Sequence, residues 1–102
     1  MTRHLTPLTA SLALACAGSA LDQHFEDVGR SVLEADRSGA MRCAPRQLAV
    51  AQSHLEFARL EREQGFSSRA QEHLRVADEH ARAAALLSPA DRCAGRTAPA
   101  GN

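Results

Sequence analysis

Apolar residues recur at helical spacing along most of the chain. In the first such stretch they stand at i, i+4, i+7 and i+11, which is one face of an amphipathic helix and predicts a helix over about 20–37. Ser19 and Asp22 have the spacing of a capping box at its start, and Gly39 follows its end, where glycine takes the left-handed conformation without steric cost. The apolar residues of this face are Leu21, Phe25, Val28 and Val32.

Two further helices are predicted over about 45–64 and 68–87, and each carries a narrow stripe of small and large apolar residues. Pro45 suits the first turn of a helix, and Gly65 ends the first of the two helices. Since only a few residues join them, we expect an all-α fold in which an antiparallel helical hairpin follows one helix. The stripes consist of Ala44, Leu48, Ala51, Leu55 and Ala58, and of Ala70, Leu74, Ala77, Ala81 and Ala84.

Each of the two hairpin helices also carries a second apolar patch outside its stripe. If the first helix covers only one side of the hairpin, these patches stay exposed and form a candidate surface for partner binding or self-association. If the first helix covers them, the domain is a closed three-helix bundle, and the sequence leaves both alternatives open. The patches consist of Val50, Phe57 and Leu60, and of Val76, Ala83 and Leu87.

Two cysteines flank the predicted hairpin, Cys43 just before its first helix and Cys93 just after its second. Two antiparallel helices of equal length bring these positions to the same end, so we predict a disulfide between them in an exported protein. The closed loop of about 50 residues would contribute roughly 4 kcal/mol through chain entropy. In a chain that stays in the cytosol, the same cysteines and a histidine could instead hold zinc.

The first 16 residues have the parts of a secretory signal: a short basic start, an uncharged stretch from Leu5 to Ala15, and small residues before a cysteine. The stretch is shorter than the roughly 18–20 residues that span a bilayer, so we expect no transmembrane helix. Ala13-Leu14-Ala15 would satisfy ordinary signal peptidase. If the segment is not a signal, it is an apolar N-terminal helix that contains a cysteine.

The run Leu12-Ala13-Leu14-Ala15-Cys16 resembles the lipobox of bacterial lipoproteins. The resemblance implies that Cys16 becomes the lipidated first residue and anchors the protein to the membrane. The helical periods place the domain in residues 17–93, and residues 94–102, rich in Ala and Gly, are expected to form a flexible tail. Each buried methylene of an acyl chain contributes about 0.8 kcal/mol, so several chains anchor a protein firmly. Ala17 stands where an inner-membrane retention signal has Asp, which implies the outer membrane and its periplasmic face.

The predicted hairpin resembles a single tetratricopeptide-type repeat with overlong helices. His54 and Glu61 replace the aromatic residues of that repeat, and Arg82 replaces its closing proline. Residues 39–93 also resemble a small alanine-rich helical domain of unknown function in proteobacterial envelope lipoproteins. One unit alone is not a repeat array, which needs at least about three. The first resemblance rests on Ala58, Gly65, Ala70, Leu74 and Ala77, and the second on Cys43-Ala44-Pro45-Arg46, His54-Leu55-Glu56-Phe57-Ala58 and Arg69-Ala70-x-x-His73-Leu74.

Charge and candidate chemistry argue for a binding role. Twelve basic residues balance twelve acidic residues, and this net charge of zero argues against nucleic acid as a partner. His73 and His80 share a helix face but lie about 10 Å apart, too far to hold one ion. His54 would have to come from the other helix, so we expect exposed histidines and neither a metal nor a cofactor. No motif for nucleophilic catalysis or phosphate binding is present, so we expect no enzymatic activity.

These patterns together predict a membrane-anchored bacterial envelope lipoprotein whose periplasmic helical domain serves interaction or assembly with an envelope protein. The first alternative is a soluble secreted periplasmic module that forms homo-oligomers. The second alternative is a cytosolic protein that uses its cysteines and histidines for metal binding or redox chemistry.

Overall fold

The computed structural model describes residues 8–95, with side chains from residue 18 onward. Within this range the chain forms three long helices and two single-turn helices, and no strand. The predicted all-helical class is therefore confirmed, although the two single turns were not predicted because four residues show no period. The helices are α1 (Leu8–Arg37), α2 (Ala40–Cys43), α3 (Pro45–Glu63), α4 (Ser67–Leu86) and α5 (Ala90–Cys93).

The predicted start of the first helix is wrong. Helix α1 begins at Leu8, so Ser19 and Asp22 lie inside the helix and do not cap its N-terminus. The residues before position 20 are mainly alanine and leucine, which have the highest helix propensities, and Gly18 alone does not interrupt them. The bounds of α3 and α4 agree with the prediction within one residue at each end. Residues 1–7 of the signal segment and 96–102 of the predicted tail lie outside the described residues.

A single core cluster joins the three long helices. All ten residues of the two predicted stripes on α3 and α4 are buried, as are the four apolar residues that define the buried face of α1. The seven alanines of the stripes let the helix backbones approach closely, and the three leucines fill the space between them. Ala35 and Ala40 extend the same cluster toward the end of the hairpin that carries the cysteines.

Helices α3 and α4 run side by side in opposite directions. Contacts join His54 to His73 and Glu61 to Arg69, so residue numbers rise along one helix as they fall along the other. Gly65 has φ 86° in the connection, and the N–H of Phe66 donates to the carbonyl of Glu61 at 2.8 Å. This pattern is a Schellman motif, in which a left-handed glycine satisfies the last carbonyls of a helix.

The far end of the hairpin is closed by a disulfide between Cys43 and Cys93, with a Cα–Cα distance of 5.9 Å. Each cysteine is the last residue of a single-turn helix, α2 or α5. Gly39, which ends α1, has φ 100° and lies directly against the backbone of the second cysteine. A Cβ atom at position 39 would overlap the Cys93 carbonyl and lie 2.6 Å from the Ala94 nitrogen, so glycine is required here both for its conformation and for space.

Candidate functional site

The side of the hairpin outside the core forms a continuous seam between α3 and α4. Its residues follow alternating spacings of three and four along both helices, and none belongs to the core cluster that α1 completes. All of them are half-buried or exposed. We call this surface the open seam. It consists of Val50, His54, Phe57 and Glu61 on α3, of Arg69, His73, Val76, His80 and Ala83 on α4, and of Leu87, which directly follows α4.

Five of the six predicted partner-binding residues lie on the open seam. Val50, Val76 and Ala83 are half-buried, whereas 46% of Phe57 and 54% of Leu87 is exposed. The sixth residue, Leu60, is 48% exposed, but its position ten residues after Val50 rotates it about 80° around the helix. The apolar part of the seam is therefore left uncovered by α1, and Leu60 does not belong to it.

Histidines occupy the middle of the open seam, which the sequence analysis did not predict. The Nδ1 atoms of His54 and His73 are 2.9 Å apart, so one ring donates a hydrogen bond to the other. Phe57 contacts both rings, with centroids 5.6 Å from His54 and 5.5 Å from His73. His80 is half-buried in the same line, so the expectation that these histidines are exposed is wrong.

The environment of this pair disfavours the charged form of one histidine. Partial burial lowers the pKa of His54 below its ordinary value of 6.5, and Coulombic repulsion from His73 and His80 lowers the pKa further. A hydrogen bond between two Nδ1 atoms also needs one of them without a proton. Both effects keep an imidazole lone pair available at neutral pH.

Arg69 and Glu61 close the open seam near the turn. The Arg69 Nε atom lies 3.3 Å from Glu61 Oε2, an ion pair without the alignment of a hydrogen bond. The guanidinium of Arg69 also lies over the ring of Phe66, with its central carbon 4.0 Å from the ring centroid. An ion pair and a cation–π contact therefore stabilise this end of the open seam, whereas aromatic and aliphatic side chains form the rest of it.

A second concave feature lies between α1 and α3, on another part of the surface. It is an open groove of about 330 Å³, lined by Asp22, Phe25, Glu26, Arg59 and Arg62. Arg62 donates to Asp22 Oδ1 at 3.0 Å, and its guanidinium lies over the Phe25 ring. These contacts tie α1 to α3, and the opposite charges that line the groove partly neutralise each other.

The remaining predicted chemistry falls on the cysteines. Cys43 and Cys93 form a disulfide in the structure, which removes both thiolates that a zinc site would need. Cys16 is a residue of helix α1, and the structure describes its backbone but not its side chain. Among the side chains described, no three or more His, Cys, Asp or Glu residues are grouped to hold a metal ion. In residues 8–95 every helix is too short or too polar to cross a membrane.

Together these features define a small, disulfide-bonded, all-helical domain with one open seam. Comparison with known proteins gives no match: no family model, no curated protein and no solved structure is similar to the chain. The function must therefore be argued from the residues and geometry above.

Proposed function

We propose that the chain is a bacterial envelope lipoprotein whose folded part is a helical interaction domain on the periplasmic side of the outer membrane. The observation that carries this proposal is the disulfide between Cys43 and Cys93 at the end of the hairpin. Structural disulfides form and persist in oxidising compartments and are rare in the cytosol. The close contact of Gly39 with the backbone of Cys93 supports a structural role for this bond.

The position of Cys16 in α1 is compatible with lipidation. Cys16 precedes Leu21, the first residue of the core, by five positions, which correspond to about 7.5 Å of helix. The α1 residues found in the core, from Leu21 to Ala35, all follow Cys16, so cleavage before this cysteine keeps each of them. Acyl chains on Cys16 would thus sit close to the end of the folded domain and hold it next to the membrane surface.

The hairpin itself is proposed to be tetratricopeptide-like, with overlong helices. Four residues of the resemblance, Ala58, Ala70, Leu74 and Ala77, are fully buried, and the fifth, Gly65, adopts a positive φ in the turn. His54 and Glu61, which replace the aromatic residues of the repeat, lie on the open seam and contact α4. A hairpin of this kind presents one helical face to a partner.

The proposed mechanism is tethered, non-catalytic binding through the open seam. Restriction to the membrane surface raises the effective concentration of the domain for an envelope protein that is held there as well. The exposed rings and aliphatic groups of Phe57 and Leu87 provide apolar contact area for such a partner.

The intact mass of the full-length protein, extracted from the membranes of a Gram-negative host and alkylated without prior reduction, tests this proposal. We expect a chain that begins at Cys16, carries acyl mass and takes up no alkyl group. A chain that retains its N-terminal residues and has three alkylated thiols would overturn both the lipoprotein and the disulfide. It would favour a cytosolic metal or redox protein.

The second candidate function is a secreted periplasmic module that self-associates, and the exposure of Phe57 and Leu87 favours it. It predicts a processed chain without acyl mass in the soluble fraction. Sedimentation of the Cys16→Ser protein separates the candidates further, because a stable dimer is expected only for the self-associating module. Phe57→Ser should dissociate that dimer, whereas Leu60→Ser, outside the open seam, should leave it intact.

A further inference from the structure

We propose that His54 and His73 form a binding site for one divalent transition-metal ion of tetragonal geometry, Cu(II) or Ni(II), that bridges α3 and α4. Imidazole nitrogen is a preferred ligand of both ions, and Cu(II) stands highest in the affinity order of the divalent first-row metals. The site is independent of the lipoprotein proposal, because it depends only on the folded hairpin.

The distance between the two ring nitrogens fits two neighbouring corners of a square. Metal–imidazole bonds of about 2.0–2.1 Å at a right angle place the nitrogens about 2.9 Å apart, whereas a tetrahedral angle places them about 3.3 Å apart. The observed distance between His54 Nδ1 and His73 Nδ1 is 2.9 Å. The same distance is that of the hydrogen bond in the metal-free pair, so one ion can replace the shared proton without separation of the two helices.

Each ring must turn before its lone pair points at the ion. The rings lie at 42° to each other, and rotation about χ2, which is a broad torsion in histidine, directs the two lone pairs to a common point. The proton that joins the rings in the metal-free pair moves to Nε2 of the donor ring through solvent, so the net charge of the pair does not change. Phe57 contacts both rings and limits their other rotations.

Water would fill the remaining coordination positions. His80 follows His73 by seven residues, about 10 Å along α4, and no third His, Cys, Asp or Glu completes a group among the described side chains. Both histidines are half-buried, so the ion reaches the site from solvent. Because the two ligands come from different helices, the ion binds the folded hairpin better than the unfolded chain and must stabilise the fold.

Titration of the disulfide-bonded Cys16→Ser protein with Cu(II), without a histidine tag, tests the proposal, because a free thiol would bind and reduce Cu(II). His4 lies outside the described residues and is replaced by Gln in every sample, which leaves His24, His54, His73 and His80. The variants are His54→Asn and His73→Asn, since asparagine keeps a polar group near the position of Nδ1. His24→Gln and His80→Gln are matched controls that leave the pair intact.

We expect one Cu(II) per chain, an electron paramagnetic resonance spectrum with two imidazole nitrogens, and a Tm that rises with the logarithm of the free Cu(II) concentration. Each pair variant should bind Cu(II) at least tenfold more weakly and lose the rise in Tm. The control variants should change the affinity less than twofold.

Affinity that is unchanged in the His54→Asn/His73→Asn protein would overturn the site. A spectrum with one imidazole nitrogen or none, from the protein that keeps both His54 and His73, would also overturn the site. This second measurement tests the site even if the variants fail to fold. Far-UV circular dichroism reports folding, because the chain contains no Trp or Tyr.

Discussion

The two sides of the α3–α4 hairpin are built from different residues. On the side that faces α1, seven alanines and three leucines form the two stripes, and every stripe residue is buried. On the open seam, histidines, valines and a phenylalanine are half-buried or exposed. The core side has no space for a larger side chain, whereas a side chain on the open seam can turn into solvent. The core side therefore sets stability, whereas the open seam leaves its side chains accessible to solvent.

The single apolar face of α1 explains why only one side is covered. Its buried residues repeat at the spacing of one helical face, and Leu33, which lies off that face, is 45% exposed. One such face can bury one side of a hairpin. To cover the open seam as well, a further element would have to pack against the opposite side of the hairpin.

Removal of the disulfide gives the largest expected effect, because it loosens the end that both sides share. Cys43→Ser/Cys93→Ser opens a loop of sequence separation 50. The chain-entropy relation gives a loss of about 4 kcal/mol in the free energy of unfolding. Urea denaturation of this variant and of its parent, both with Cys16→Ser so that no third thiol is present, measures the difference. A loss below about 1 kcal/mol would mean that the core side needs no covalent closure.

Truncation of a leucine compares the core side with an exposed position of the hairpin outside both sides. Leu74 is fully buried, and Leu74→Ala should lower the free energy of unfolding by about 3 kcal/mol through lost burial and a cavity. Leu60 is the matched control, because it is half-exposed, and Leu60→Ala should cost less than about 1 kcal/mol. Equal losses in urea denaturation would show that the core side does not dominate stability.

The buried stripes could be predicted from the sequence because their signal lies within each helix. Apolar residues at spacings of three and four identify one face, and this holds for Leu48 and Leu74 without knowledge of the neighbouring helix. The start of α1 could not be predicted in the same way. Residues 1–16 have the pattern of a signal segment, and the amphipathic pattern begins only near position 20. Helix propensity does not depend on later cleavage, however, and the chain continues as helix back to Leu8.

The contact between His54 and His73 was missed because it depends on the register between two helices. The spacing of His73 and His80 can be read within one helix, but it does not predict which histidine lies opposite on the other helix. Counting from Gly65 would have helped, since His54 lies eleven residues before the turn and His73 eight after it, a difference of less than one helical turn. The final alignment within that turn depends on side-chain packing, which no pattern in one helix contains.

Enlargement of an alanine tests the difference in available space. Ala77 is fully buried on the core side, and Ala77→Leu should lower the free energy of unfolding by about 2 kcal/mol through overpacking. Ala83 lies on the open seam of the same helix, and Ala83→Leu should change it by less than about 0.5 kcal/mol. A large loss at Ala83, measured by thermal denaturation, would indicate that something already covers the open seam.

The pH dependence of stability gives the smallest expected effect and concerns the open seam alone. Burial and the charges of His73 and His80 hold the pKa of His54 below 6.5 in the folded chain, while the unfolded chain keeps the ordinary value. Below pH 6.5 the unfolded chain therefore binds more protons, so the free energy of unfolding falls as the pH drops toward the folded pKa. His54→Asn should remove this part of the decline between about pH 7 and about pH 5, while His24→Gln should not. Urea denaturation of the parent, His54→Asn and His24→Gln proteins at several pH values measures this decline in the free energy of unfolding. If the free energy of His54→Asn falls with pH as steeply as that of the parent, the folded hairpin does not resist protonation at the open seam.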